Sequence, residues 1–318
     1  MTVAIATERL TKDYDGRRVV DGLDLRVPAG TVYGFLGRNG AGKSTTIKML
    51  MGMVRPTLGR IELLGHDLTA LPMEAKGRVA YLAEGHPLYR WMTVAEASRF
   101  AGAFHPDRWD RAMFERVLDH FELSRRSKIR KLSNGQRASL ALALAIAPDP
   151  DLLVLDDPTL GLDTVARHDF LQSMVQLVQR RGRTILFSSH VLADVERVAD
   201  RIGVLVHGVL RVDCPTERFK QAVSRVTLEF AGEPPTFPGC RGLVQAWAVG
   251  RRLELAVVDF GPEQQAVVES LSPRSWSVSG LNLEDAFVAY TRGPRRSLPL
   301  LGDVADEDAE DSDDRGAA

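Results

Sequence analysis

Short runs of Val, Ile and Leu alternate with stretches of helical character over the first two thirds of the chain. Apolar residues predominate without strict alternation in Val32–Leu36, in Leu152–Leu155 and in residues 184–188. Runs of this kind are typical of strands that are buried on both faces of a parallel sheet, with helical crossovers between them. Residues 1–212 therefore predict an α/β domain with a largely parallel sheet.

Within this region, residues 91–145 have the periodicity of helices. Thr93 and Glu96 have the spacing of a capping box, and four apolar residues follow at intervals of three and four, namely Phe114, Val117, Leu118 and Phe121. The longest apolar run, residues 138–147, is about half as long as a helix that spans a bilayer. We expect a helical subdomain over about residues 91–145.

The pattern changes near residue 215. Four short runs rich in Val and Leu suggest strands, and two amphipathic runs suggest helices, so residues 215–292 predict a small α+β domain. The predicted strands are 226–230, 243–249, 253–258 and 276–279, and the predicted helices are 263–271 and 283–290. Residues 293–318 are rich in Pro and Arg and then in acidic residues, which predicts a disordered acidic tail.

Composition excludes several classes of protein. The net charge is -1, and the tail carries eight acidic residues, so the remainder has only a small positive charge and no nucleic-acid partner is expected. Cys214 and Cys240 form no metal-ligand or CxxC pattern, which fits a reducing compartment. Charged residues near the N-terminus argue against a signal peptide. We therefore expect a cytoplasmic protein.

A phosphate-binding loop follows the predicted strand Val32–Leu36. The sequence GRNGAGKS matches GxxxxGK[ST] and is followed by a predicted helix. Glycines allow backbone N–H groups to converge on phosphates, the lysine reaches the β and γ phosphates, and the serine binds Mg²⁺. The predicted ATP-binding residues are Gly37, Asn39, Gly40, Ala41, Gly42, Lys43, Ser44 and Thr45.

An acidic residue at the end of another predicted strand complements this loop. Leu152–Leu155 is followed directly by Asp156, and a carboxylate at the end of a buried strand can hold the hydration shell of Mg²⁺. Ser44 and Asp156 are therefore predicted magnesium ligands, with ATP and Mg²⁺ as the cofactors.

Two further segments flank this strand and narrow the class of phosphate-loop protein. Residues 132–136, LSNGQ, resemble the LSGGQ signature of the ATP-binding cassette (ABC) family, and residues 158–163, PTLGLD, resemble its D-loop. The resemblance covers residues 5–212 and implies a P-loop NTPase cassette with a helical subdomain. It also implies ATP hydrolysis.

The same resemblance implies roles for individual residues. Tyr14 lies where the family stacks an aromatic ring on adenine, and His190 lies at the position of its switch histidine. In this family two cassettes meet head to tail. Residues of one copy would then complete the ATP site of the other, and those predicted here are Ser133, Gly135, Gln136 and the D-loop residue Asp163. The expected partner is a second copy of the chain.

The sequence departs from the family pattern at four positions, one of which is Arg38 in place of the frequent Pro of the phosphate loop. Asp157 stands where a Glu usually orients the attacking water, and its shorter side chain predicts slow hydrolysis. Glu84 stands where a Gln usually touches Mg²⁺, and we hypothesise that it partly compensates as a magnesium ligand and catalytic group. Asn134 replaces a Gly of the signature, and because Asn tolerates left-handed backbone, the signature is expected to keep its shape.

Residues 84–94 lie where transporter cassettes receive the coupling helix of a membrane subunit. They include His86, Pro87, Leu88, Tyr89 and Trp91, and the aromatic residues suit such docking if they are exposed. The alternative is that these residues pack in the core of the helical subdomain. The chain resembles ATP-binding subunits of ABC-2 type exporters, which implies a separate integral membrane permease and a peripheral location on the inner face of the cell membrane. Two alternatives remain. One is a soluble ABC ATPase that acts on ribosomes or DNA, and the other is a regulatory subunit with very slow hydrolysis.

Overall fold

The computed structural model describes residues 2–178, 182–292 and 298–302. These residues form two compact units. The first unit contains residues 2–200 and 207–209, and the second contains residues 201–206 and those from 210 onward. The sequence placed the domain boundary at residues 212–215, whereas in the structure the chain passes between the units within residues 200–210.

The first unit contains strands and helices in mixed order. In the described residues its strands are β1 (Val3–Tyr14), β2 (Arg17–Leu23), β3 (Arg26–Pro28), β4 (Val32–Leu36), β5 (Leu58–Leu63), β6 (His66–Asp67), β7 (Val79–Leu82), β8 (Leu152–Leu155) and β9 (Thr184–Ser189). Its helices are α1 (Lys43–Leu50), α2 (Met73–Lys76), α3 (Val94–Gly102), α4 (Arg111–His120), α5 (Asn134–Ile146), α6 (Thr164–Val178) and α7 (Leu192–Val198), with 3-10 turns at Leu68–Ala70 and Ile129–Lys131.

A parallel sheet forms the centre of this unit. Strands β4, β9, β8 and β7 are neighbours in that order, and each adjacent pair is parallel. Every residue of β4, β8 and β9 is buried, as expected for strands with both faces covered. Helix α7 packs closely on β4, because a Cβ at Gly34 would lie 2.3 Å from Val195.

A second, antiparallel sheet was not predicted from the sequence. Strand β1 pairs with β2, β3 and β5, all antiparallel, and β5 pairs with β6. The apolar pattern of β1 is obscured because its buried positions include two threonines. The Thr7 hydroxyl donates to the Leu23 carbonyl at 2.7 Å and accepts from the Leu25 N–H at 2.9 Å, so its burial is satisfied. The expectation of a largely parallel sheet is therefore incomplete.

The helical segment has the predicted elements α3, α4 and α5. The Thr93 N–H donates to Glu96 Oε2 at 2.7 Å and the Glu96 N–H donates to Thr93 Oγ1 at 3.2 Å, which is the predicted capping box. Phe114, Val117 and Leu118 are buried on α4. Most apolar residues of α5 are buried as well, and no described helix has the length and hydropathy needed to cross a membrane.

The second unit contains every strand and helix predicted after residue 215, and it also contains a helix over Thr216–Ala222 that was not predicted. Its elements are β10 (Arg201–Val206), β11 (Val209–Pro215), α8 (Thr216–Ala222), β12 (Val223–Glu229), β13 (Leu243–Val249), β14 (Arg252–Val258), α9 (Pro262–Ser270), β15 (Ser275–Gly280) and α10 (Leu283–Thr291). Strands β13, β14, β12 and β15 form an antiparallel sheet in that order. Phe260 and Trp276 pack against its core, with ring centroids 6.1 Å apart.

Part of the predicted tail is ordered. Leu301 is buried and pairs with β11, because its N–H donates to the Arg211 carbonyl at 3.0 Å and its carbonyl accepts from the Asp213 N–H at 2.9 Å. The prediction of disorder from residue 293 onward is therefore wrong for residues 298–302, which are held by these backbone bonds and by the Arg211 side chain, whose Nη1 donates to the Leu298 carbonyl at 2.9 Å. Residues 293–297 and 303–318 lie outside the described residues.

Candidate functional site

The parallel sheet brings the predicted site residues to one edge. In a parallel sheet all carboxyl ends point the same way, and ligands bind beyond those ends. The phosphate loop follows β4, His190 follows β9, Asp156 follows β8, and Glu84 follows β7. Four segments that are far apart in sequence therefore meet at one edge of the sheet.

The phosphate loop runs from the end of β4 into α1. Gly42 precedes α1 with φ of 112°, in the left-handed region where a glycine carries no steric penalty. The Lys43 side chain is buried, and its Nζ donates to the carbonyl of Gly37 at 2.7 Å and to that of Arg38 at 3.3 Å. The backbone of the loop thus holds the side chain of Lys43, the lysine that the sequence predicts to bind the phosphates.

Burial and charge act in opposite directions on Lys43. Burial lowers the pKa of the ammonium group, while Asp157, Asp156 and Glu84, in decreasing order, counteract this effect. All three acidic residues predicted for the site are therefore close enough to Lys43 to interact with its charge. The phosphate loop and the acidic strand ends form one electrostatic unit.

Asp156 is the centre of the predicted magnesium site. Its Oδ1 accepts hydrogen bonds from the Ser44 hydroxyl at 3.1 Å and from the Ser188 hydroxyl at 2.8 Å. Its Oδ2 is buried and has no hydrogen-bond partner among the described residues. An unsatisfied buried carboxylate oxygen beside a serine hydroxyl suits a hard cation. These residues therefore fit Mg²⁺.

The chain offers few protein ligands for such a cation. Among the described residues, no group of three or more His, Cys, Asp or Glu side chains is arranged around a metal position. Mg²⁺ commonly keeps several waters and is held by one or two carboxylates together with substrate phosphates. Ser44, Asp156 and the phosphates of ATP form a set of this kind.

Asp157 and His190 form a hydrogen-bonded pair. His190 Nδ1 lies 2.7 Å from Asp157 Oδ2. Because an ionised carboxylate only accepts, Nδ1 carries the proton. The other oxygen, Asp157 Oδ1, is buried and has no partner among the described residues. The structure thus joins the two residues that the sequence assigned to hydrolysis and leaves one carboxylate oxygen without a hydrogen-bond partner among the described residues.

Replacing Asp157 with Glu is expected to raise kcat for ATP hydrolysis several-fold. A displacement of about 1 Å can cost roughly a hundredfold in rate, and the added methylene restores the reach of the carboxylate toward the water. Asp157 has φ of 43°, where Asp is tolerated better than Glu, so the variant should lose about 1 kcal/mol of stability. Single-turnover hydrolysis and a thermal melt measure both effects, and an unchanged or slower rate would refute the prediction.

Glu84 lies at the exposed end of the loop after β7. Its charge acts on Lys43 and also on Tyr81, whose pKa is raised to about 12 by burial, by Asp156 and by Glu84. Glu84 is therefore near the site, and its role in binding Mg²⁺ and in hydrolysis remains a prediction.

Tyr14 lies at the end of β1 and is exposed, as an adenine-stacking ring must be. The ammonium of Lys12 lies 4.8 Å from the centroid of its ring. A cation over one face of the ring is a favourable contact. Adenine stacking on Tyr14 remains a prediction.

The signature residues begin helix α5. Ser133 caps this helix, because its Oγ accepts from the Gln136 N–H at 3.1 Å and its N–H donates to Gln136 Oε1 at 3.1 Å. Asn134 is the first helical residue and is not left-handed, so its tolerance of left-handed backbone is not used here. Its Nδ2 instead donates to the carbonyl of Gly161 at 3.1 Å, which links the signature to the D-loop.

The D-loop lies between Asp157 and α6. Asp163 is exposed, and its Oδ1 accepts from the Ala166 N–H at 2.9 Å, which is the bond of an N-cap residue. In the described structure Asp163 therefore stabilises the start of α6. Its contribution to a second copy remains a prediction.

Sequence reasoning missed Ser188 and misjudged His86. The Ser188 hydroxyl donates to Asp156 and accepts from the Asp157 N–H at 2.9 Å, so it orients both acidic residues. The only signal was a hydroxyl at the end of an apolar strand.

His86 was placed on a docking surface, but it is 6% exposed and its pKa is lowered mainly by burial. Its neighbours Tyr89 and Trp91 are exposed, as expected.

Together, the phosphate loop, the acidic pair after β8, the histidine after β9 and the signature at the start of α5 define the class of this protein. It is a P-loop ATPase of the cassette type.

Comparisons with known proteins agree with this class. The family model described as ABC transporter matches residues 20–160. The daunorubicin/doxorubicin resistance ATP-binding protein DrrA of Streptomyces peucetius is 39% identical over 70% of this chain and 68% of its own length. The Nod factor export ATP-binding protein I of Burkholderia orbicola is 38% identical over 92% of this chain and 98% of its own length.

A solved structure described as an ATP-binding subunit of an ABC transporter superposes with a TM-score of 0.61 at 30% identity, over 68% of this chain and 92% of its own. The chain belongs to the ABC transporter family and is an ATP-binding and ATP-hydrolysing subunit. The predicted family, fold class and enzymatic activity are confirmed.

Proposed function

We propose that two copies of this chain close head to tail around two molecules of Mg-ATP and drive export through a separate integral membrane subunit. ATP binding stabilises the closed pair and hydrolysis reopens it. The cycle would take place at the inner face of the cell membrane.

The exposed start of helix α5 carries this proposal. Ser133 and Gln136 are exposed, although the capping box between them is already formed. The N-terminus of a helix offers backbone N–H groups and positive potential, which favour phosphate. The signature is thus preorganised and faces solvent. Both properties are required of a surface that completes the ATP site of another copy.

A bound magnesium ion would assist the proposed hydrolysis. Mg²⁺ bound by Ser44 and Asp156 would neutralise charge on the β and γ phosphates during transfer. Within the chain itself, Lys43 positions the phosphates, Ser188 fixes both acidic residues, and Asp157 orients the water while His190 holds its carboxylate.

Export is supported by the relatives. The names of DrrA and of the Nod factor protein describe resistance and export, and both are called ATP-binding proteins. In such systems the substrate pathway lies in another polypeptide, so the cargo is a property of that subunit.

An exposed aromatic cluster offers a docking surface for the membrane subunit. It consists of Tyr89, Trp91, Phe100 and Phe104, each at least 43% exposed. Their rings form a continuous series, with centroids 6.1 Å apart between Tyr89 and Trp91, 5.6 Å between Tyr89 and Phe100, and 5.2 Å between Phe100 and Phe104. Aromatic side chains of this kind commonly dominate binding energy at protein interfaces.

A tagged chain is expected to co-purify with a multi-spanning protein from detergent-solubilised membranes of its source cells. Replacing both Tyr89 and Trp91 with Ser should reduce this recovery at least about tenfold, because each lost anchor costs roughly 1 to 2 kcal/mol of binding. Hydrolysis by the isolated chain should not change. The control is Met73→Ser, which removes a still more exposed apolar side chain elsewhere in the first unit.

Recovery only from the soluble fraction would contradict the transporter assignment. If ribosomes or DNA were recovered instead, the soluble ATPase alternative would replace it. A chain that traps ATP without hydrolysing it in single turnover would be a regulatory subunit.

A further inference from the structure

His86 is a buried polar residue in a loop whose immediate neighbours are exposed. Its Nε2 lies 2.9 Å from the carbonyl oxygen of Pro158. Because a carbonyl oxygen only accepts, Nε2 must carry the proton and donate it. The contact joins two loops that are 72 residues apart in sequence.

The backbone of His86 shows that the contact is held firmly. His86 has φ of 52°, a left-handed conformation that costs a residue other than Gly about 1 kcal/mol. Such a conformation persists only where the surrounding structure fixes it. Gly85 is also left-handed, so the loop turns sharply enough to direct the imidazole inward toward Pro158.

The two loops are joined on both sides of Asp157. The Asp156 N–H donates to the carbonyl of Leu82 at 2.9 Å, and the Pro158 carbonyl accepts from His86. The residues before and after Asp157 are therefore both anchored to the segment that follows β7. Asp157 itself is left-handed, with φ of 43°, and its conformation depends on such anchors.

We propose that His86 is a positioning residue for ATP hydrolysis, which holds the backbone after Asp157 and so fixes the carboxylate relative to the loop that carries Glu84. This inference rests on the proposed role of Asp157 in orienting water. It also gives a physical link to docking, because Tyr89 of the aromatic cluster lies three residues beyond His86. A shift of the docked loop would move the Pro158 carbonyl and with it Asp157.

Two substitutions of His86 separate positioning from folding. His86→Asn keeps a residue that tolerates left-handed backbone, but its amide is too short to reach Pro158. His86→Gln places an amide donor at about the distance of Nε2. The control is His105→Asn. His86 and His105 both line a cavity of about 330 Å³ beside β7 and α5, but only His86 is hydrogen-bonded to Pro158 among the described residues.

Steady-state hydrolysis by the purified chain gives kcat and KM for ATP for each variant. His86→Asn is expected to lower kcat about tenfold with KM within about twofold of wild type, because misplacement of catalytic groups affects the reaction more than binding. His86→Gln should recover most of this loss, and His105→Asn should match the wild type.

The inference would be overturned if His86→Asn had the kcat of the wild type. It would also be overturned if His86→Asn lost activity and His86→Gln, which restores a hydrogen-bond donor, did not recover it. A rise in KM equal to the fall in kcat would also overturn it, since the change would then be structural. Asp157→Ala separates this failure from that of the proposed function. If Asp157→Ala hydrolyses ATP at the wild-type rate, the role of Asp157 fails, whereas impaired Asp157→Ala with unimpaired His86→Asn refutes only the role of His86.

Discussion

Replacing Lys43 with Ala is expected to weaken ATP binding about a hundredfold. Hydrogen bonds to charged groups contribute roughly 1.5 to 3 kcal/mol each, and Lys43 would contact both the β and γ phosphates. The buried ammonium already lies inside the loop, held by the carbonyls of Gly37 and Arg38. Little reorganisation is therefore needed for it to reach a phosphate, and removing it deletes these interactions.

The dissociation constant for a fluorescent ATP analogue, measured by equilibrium titration, tests this prediction. Lys48→Ala is the matched control, because Lys48 lies on the same helix α1 but is exposed in its last turn. The control should bind ATP as the wild type does. Equal affinities of Lys43→Ala and the wild type would remove the basis for placing ATP in this loop.

Replacing His190 with Ala is expected to lower the rate of hydrolysis about a hundredfold while ATP binding changes less than about threefold. Positioned acid and base groups typically contribute 10² to 10⁴ in rate. His190 donates from Nδ1 to Asp157 Oδ2 at 2.7 Å, and without this bond the carboxylate is free to turn away from the water. The phosphate loop, which supplies most of the binding, is not altered by the substitution.

Single-turnover hydrolysis with excess enzyme measures the effect on the chemical step. His120→Ala provides a control, because His120 also forms a side-chain hydrogen bond, at 2.7 Å to Ser173, but lies on α4 outside the site. A wild-type rate in His190→Ala would show that the pair with Asp157 has no role in hydrolysis. A comparable loss in His120→Ala would indicate a general effect on folding.

The sequence predicted those parts of the fold that depend on residues close together in the chain. The phosphate loop is a contiguous motif between a strand and a helix, and its glycines and lysine appear in the structure as expected. Strand β13 matches its predicted bounds because the run is delimited by turn residues on both sides. The antiparallel sheet of β1 was missed because two buried threonines interrupt its apolar pattern. The hydrogen bonds that satisfy one of them, Thr7, at the backbone of Leu23 and Leu25 are not visible in the sequence.

The site was predictable as a set of residues but not as a network. Asp156, Asp157 and His190 were each identified, but Ser188, which bonds to both Asp156 and Asp157 across 32 and 31 residues, was not. His86 reaches Pro158 across 72 residues. Contacts of this kind depend on which strands are neighbours in the sheet. A single sequence contains no direct signal for that order, so such residues are assigned only when the structure is known.

The most direct test of a composite ATP site made by two copies is a mixture of two inactive variants. Lys43→Ala lacks a functional phosphate loop, and Ser133→Arg blocks the signature, so each variant alone should not hydrolyse ATP. If the sites are shared head to tail, each mixed pair contains one intact site, and an equimolar mixture should recover about a quarter of wild-type single-turnover activity. A mixture as inactive as its two components would show that each site is completed within one chain, and would contradict the proposed dimer.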